Sequence, residues 1–116
     1  MTYSIKPDDT IAKILGDHPA AKLLAVKFTA AWCAPCKQHP FEKVAELPLG
    51  LPLLFALCDV NSCMKMAEQY LVRSVPTVVF FNRAGQVVGP PNVGVPRPER
   101  FVELLRERMK LVSSGA

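Results

Sequence analysis

No apolar stretch in this chain is long enough to cross a bilayer. Runs such as Val78-Val79-Phe80-Phe81 end within a few residues, where a spanning helix needs about 20. The opening residues MTYSIKPDDT lack the basic, apolar and small-residue order of a secretory leader, so a cytoplasmic location is expected. No basic run of five or more occurs, and Glu99, Glu103 and Glu107 interrupt the arginines near the C-terminus. The net charge of +4 is therefore dispersed, and neither nucleic acid nor a membrane is an expected partner. Linkers, repeats and low-complexity segments are also missing, which leaves residues 1–116 as a single domain.

Half of the residues are hydrophobic and 21% are charged, the balance of a chain that folds around one core. The coarse pattern alternates strands with helices. Tyr3 to Lys6 is a first short strand. Asp8 or Asp9 can cap a helix through Leu15 by accepting from free first-turn amides, with Gly16 ending it. Leu23 to Thr29 and Leu53 to Asp59 are apolar enough to be strands buried on both faces. Between them a helix runs to about Leu47, kinked at Pro40, which has no amide hydrogen to donate. Ser62 can cap a further helix to Tyr70. Thr77 to Asn82 and Gln86 to about Val93 flank the turn Arg83-Ala84-Gly85 as a hairpin, with Pro90 and Pro91 confining the second strand to an edge. A last helix starts near Pro98 and turns Phe101, Leu104, Leu105, Met109 and Val112 to one side; Ser113 to Ala116 is expected to fray. The order is β-α-β-α-β-α-β-β-α, an α/β fold.

Four cysteines, at positions 33, 36, 58 and 63, raise the question of a disulfide scaffold, but a chain this apolar needs no staples and shows no leader pattern, so reduced or catalytic thiols are expected. Cys33 and Cys36 are separated by two residues, follow a buried strand and open a helix. A thiol at a helix start meets unbonded amides and the positive end of the dipole, which lowers its pKa and raises the thiolate fraction. Such a thiolate attacks a disulfide to form a mixed disulfide, and a second thiol within reach resolves it. On this reading Cys33 is the exposed nucleophile and Cys36, one turn inward, the resolver.

The segment Val26-Lys27-Phe28-Thr29-Ala30-Ala31-Trp32-Cys33-Ala34-Pro35-Cys36-Lys37, with Cys58-Asp59-Val60-Asn61, Val75-Pro76-Thr77, Gly85 and Gly94, resembles the thioredoxin family of WCxPC active-site type over nearly the whole chain. The resemblance implies a thioredoxin fold, with a central mixed sheet of about five strands and about four flanking helices. It implies a protein-disulfide reductase acting as an electron carrier in cell redox homeostasis, with no bound cofactor beyond a redox-active Cys33–Cys36 disulfide. Pro76 is then a cis-proline facing the cysteines and keeping metal out. The backbone of Val75 pairs with an extended substrate segment, and Trp32, Ala34, Pro35 and Gly94 line the contact surface. Implied partners are thioredoxin reductase or a small dithiol as electron donor and disulfide-containing proteins as substrates, for a monomer.

Several positions depart from the family pattern. Lys27 stands where the family has a buried aspartate that assists the resolving cysteine, and Leu57 where many relatives carry that aspartate's charged partner. Lys27 either snorkels to the surface or is buried as a pKa modulator, acting as a neutral base or stabilising the Cys36 thiolate. Lys27→Asp is expected to speed resolution of the mixed disulfide. Pro40 follows Cys36 by four residues where relatives have five, and His39 beside it is read as a surface residue without a catalytic role. Cys58 reads as a buried inert thiol. Cys63 lies near a cysteine of some animal relatives and is a candidate regulatory thiol, with exposure deciding between that and a free bystander. Two rival functions remain: a redox-silent binding module using the same groove, and a zinc site formed by all four cysteines.

Overall fold

Every residue from Leu23 to Phe28 is buried, which places this segment at the centre of a sheet covered on both sides. The computed structural model describes residues 2–113; the fraying expected at Ser113 to Ala116 falls, beyond Ser113, outside the described residues. The elements are β1 (Thr2–Ser4), α1 (Ile11–Asp17), β2 (Leu23–Thr29), α2 (Ala34–Gln38), α3 (Phe41–Ala45), β3 (Leu53–Asp59), α4 (Met64–Gln69), β4 (Thr77–Phe81), β5 (Asn92–Val93) and α5 (Pro98–Ser113). The sheet order is β1-β3-β2-β4-β5. β1, β3 and β2 run parallel, and β4 and β5 are antiparallel to their neighbours. With α2 and α3 counted as one broken helix, this is the mixed five-stranded, four-helix arrangement implied by the resemblance.

Side chains of β2 alternate between the two faces. Leu24, Val26 and Phe28 join Ile11, Ile14 and Leu15 of α1 and Met66 and Ala67 of α4 in one core layer. Leu23 and Ala25 point the other way, into a second layer with Phe41 and Val44 of α3 and Phe101, Leu104, Leu105 and Met109 of α5. Lys27 continues this second series. Mid-strand, it is flanked by Leu57 of β3 and Val78 of β4, and it is 1% exposed. Its ammonium therefore has to find partners on the face covered by α3 and α5.

Several expected boundaries shift for identifiable reasons. Thr10, not an aspartate, caps α1 by accepting the Lys13 amide at 3.1 Å. Asp9 turns inward instead, where it accepts the Tyr3 hydroxyl at 2.6 Å and the Lys6 amide at 2.8 Å. Gly16 lies inside α1, which ends at Asp17. The first strand stops at Ser4, although the Ile5 amide still donates to the Leu57 carbonyl at 2.9 Å. Ser62 does not cap α4; its hydroxyl donates to the Asp59 carbonyl, and Cys63 occupies the cap position without a side-chain bond to the helix amides. The second hairpin strand does not run from Gln86 to Val93. Val87 makes one isolated bridge to Phe81, Val88 donates its amide to Phe80, and pairing then lapses until Asn92 and Val93 meet Val78 and Thr77. Gly89 takes φ +71° there, and Pro90 and Pro91 carry no amide hydrogen for a ladder.

Candidate active site

The central strand delivers the cysteines to one end of the sheet. Leaving β2, the chain turns through Ala30, whose carbonyl accepts the Cys33 amide at 3.1 Å. Cys33 is the N-cap of α2 and Cys36 lies within that helix. The two are joined by a disulfide with Cα atoms 5.4 Å apart. The Cys36 amide donates to the Cys33 sulfur at 3.1 Å. Because α2 has only five residues, this single directed N–H, rather than a long helix dipole, is the donor in place to meet negative charge on that sulfur once the bridge is reduced.

In the disulfide state neither cysteine is openly exposed, at 4% for Cys33 and 2% for Cys36, which corrects the expectation of an exposed nucleophile. The surroundings still distinguish them. Cys33 sits between exposed Trp32 and Ala34, and its sulfur is 3.7 Å from the Val75 carbonyl oxygen. Pro35 is exposed as well. Trp32 is 71% exposed and, with Val60, Met64, Ala67, Val72 and Val75, lines the apolar part of a hollow of about 310 Å³ whose remaining wall is Glu68, Arg73 and Ser74. The Val75–Pro76 peptide bond is cis, and the Pro76 carbonyl accepts the Gly94 amide at 2.9 Å. Gly94, at φ +92° and with open space where a Cβ would stand, is thereby tied to the same rim.

Lys27 does not snorkel. Its ammonium donates to the Cys36 carbonyl at 2.8 Å and to the Glu42 carboxylate at 2.9 Å, the lysine side chain nearly buried and the glutamate half exposed. Glu42 was not singled out by the sequence; its position two residues after Pro40 is the signal that was available. A second hollow, of about 240 Å³, is lined by Lys27, Ala30, Cys36, Glu42 and Asp59 among others.

His39 is not a surface residue. It is buried, its Nδ1 accepts the Phe41 amide at 3.0 Å, and its ring meets Phe41 and Phe101 edge-on. Burial, reinforced by the nearby Lys27 charge, pushes its pKa down to about 4, against the opposing charge of Glu42. Cys58 is fully buried, and burial pushes its thiol well up. Cys63 is 3% exposed, its sulfur 3.3 Å from the Ile5 carbonyl, so an oxidant reaches it only if the structure opens. Both remain free thiols. No group of three or more His, Cys, Asp or Glu side chains gathers as a metal set among the described residues, and the four-cysteine zinc reading is not favoured.

The family model described as Thioredoxin matches residues 8–106. The thioredoxin of Echinococcus granulosus is 36% identical over 87 residues, covering 72% of this chain and 78% of that one. Among solved structures, the thioredoxin Mala s 13 of Malassezia sympodialis superposes with a TM-score of 0.75 at 27% identity, covering 93% of each chain. Reduced Schistosoma mansoni thioredoxin pre-protein gives 0.73 at 26% identity, covering 96% of this chain and 97% of that one. No helix among the described residues is long and apolar enough to cross a membrane.

Proposed function

From the premise that this chain belongs to the thioredoxin family and is a thiol–disulfide oxidoreductase, we propose a division of labour in which Cys33 attacks the substrate disulfide and Cys36 resolves the mixed disulfide. The observation that carries this reading is the Cys33–Cys36 bridge at the start of α2, with the Cys36 amide aimed at the Cys33 sulfur. Reduction of the bridge frees two thiols. The Cys33 thiolate displaces one sulfur of a substrate disulfide, Cys36 then attacks Cys33, and reduced substrate leaves with the bridge restored. The chemistry resides in the disulfide itself.

The substrate side of the reading rests on the rim. An extended segment pairs with the backbone of Val75 before Pro76, while Trp32, Ala34, Pro35 and Gly94 contact its side chains. The apolar part of the hollow at Trp32 and Val75 supports a substrate with a hydrophobic residue near its disulfide. Electrons come from a thioredoxin reductase or a small dithiol, and the protein works as a monomer in the cytoplasm, a compartment that suits two further thiols left unpaired. A redox-silent binding module has no use for the coupled pair and is not favoured.

The deciding experiment is turnover of a model protein disulfide with a thioredoxin reductase and NADPH. NADPH consumption that requires both Cys33 and Cys36 is expected; turnover that survives Cys33→Ser overturns the assignment.

A further inference from the structure

The spacing of Pro40 leaves a specific gap. In a continuing α-helix the Cys36 carbonyl accepts from the amide of the residue four positions on, and that residue is Pro40, which has none. The His39 amide reaches the carbonyl only at 3.3 Å. Lys27 closes the gap at 2.8 Å from the sheet below. A buried ammonium is costly without partners, and Glu42 of α3 supplies the counter-charge at 2.9 Å. Two of the three ammonium protons are thus committed, one to the backbone of the resolving cysteine and one to a carboxylate at the surface. Cys36, Lys27 and Glu42 wall the same 240 Å³ hollow.

We propose that Lys27, anchored by Glu42, is the positioning residue for Cys36, fixing its backbone and favouring its thiolate, and that this hollow is the route by which the thiol exchanges its proton with solvent. The proposal deepens the assignment of Cys36 as resolver and rests on it. In the resolving step the Cys36 S–H bond breaks and the proton leaves through the hollow. The Cys36 sulfur bonds to the Cys33 sulfur, and the bond from Cys33 to the substrate sulfur breaks. Its electron pair departs on the substrate sulfur, which then takes up a proton. The two cysteines are oxidised and the substrate reduced, with no further reagent. Other charged neighbours are Lys37 of α2 and Asp59 at the end of β3; His39, with its pKa near 4, is neutral at the working pH. Glu42 and Asp59 are the available proton acceptors.

The test is the pH dependence of Cys36 alkylation by iodoacetamide in reduced Cys33→Ala protein, followed by peptide mass so that Cys58 and Cys63 do not contribute. Lys27→Met is expected to raise the midpoint by about one pH unit or more, Lys27→Arg to restore it toward the parent value, and Glu42→Gln to lower it. Opposite shifts for Lys27→Met and Glu42→Gln are not what a loss of packing produces, because general loosening moves both the same way. Midpoints that stay put, or move together, overturn the proposal. If Lys27→Met does not fold, Glu42→Gln decides alone: a lowered midpoint supports the proposal and an unchanged or raised one overturns it. Turnover of the model disulfide by the unsubstituted protein is read separately. Its absence counts against the proposed function, whereas unmoved midpoints with turnover intact count against the role of Lys27.

Discussion

The amide of Cys36 and the sulfur of Cys33 face one another across 3.1 Å, so the two residues are tied through backbone as well as through the disulfide. The two cysteines are accordingly expected to fail differently. Cys33→Ser should reduce turnover of a model disulfide to background. Cys36→Ser should leave the first attack intact and accumulate a covalent enzyme–substrate species, seen as a dithiothreitol-sensitive band on a non-reducing gel. Equal trapping by both variants would reverse the assignment of roles.

His39 should make the fold acid-sensitive. A base with a folded pKa near 4 and an ordinary value of 6.5 leaves the unfolded chain holding more protons than the folded one between those limits. Its contribution is fully present above pH 6.5, is lost as pH falls toward 4, and changes no further below that. At roughly 1.4 kcal/mol per pH unit the loss is on the order of 3 kcal/mol. Denaturant melts at pH 7 and pH 4.5 measure it, and His39→Phe should flatten the difference. Equal pH dependence in the two proteins would sink the idea.

Lys27→Asp, expected from the sequence to speed resolution, has the opposite expected outcome once Glu42 is in place. The substitution sets two carboxylates against each other, removes the shorter of two donors to the Cys36 carbonyl and leaves that buried oxygen with only the His39 amide at 3.3 Å. Destabilisation of about 2 kcal/mol, together with slower resolution, is expected from chemical denaturation and single-turnover kinetics. Faster resolution at unchanged stability would contradict this account.

Gly89 lies at φ +71°, and a Cβ there would come within 2.7 Å of the Arg108 side chain. That guanidinium is in turn committed, donating to the Pro90 carbonyl at 2.8 Å and lying 4.9 Å from the Phe80 ring centre. Gly89→Ala should therefore cost about 1–3 kcal/mol, read as a lowered urea midpoint with an unchanged slope. A neutral result would mean that the turn and Arg108 adjust together.

The fold was legible where a pattern repeated. β2 and β3 lie within the expected limits because both are predominantly apolar, β2 with the single charge of Lys27, and α5 because its apolar residues recur at helical spacing after Pro98. Thr10 and Asp9 were exchanged because both are good caps in isolation, and only the arrival of Tyr3 and Lys6 turns Asp9 inward. β5 was overextended because alternation around Val87 and Val88 looks like a strand, while the left-handed turn at Gly89 shows only in three dimensions. At the site, the paired cysteines announce themselves by spacing. His39 and Glu42 do not, since a lone histidine and a helical glutamate look like surface residues until the break at Pro40 folds one under Phe101 and brings the other to Lys27.

The two outer strands of the sheet are its shortest, three residues in β1 and two in β5, and Pro90, Pro91, Pro96 and Pro98 stand close to β5. A neighbouring molecule therefore finds almost no run of unpaired amides and carbonyls on which to lay a strand. Such brevity protects a crowded solution from fibre growth, and concentrated protein held below its unfolding temperature should show no thioflavin-positive material.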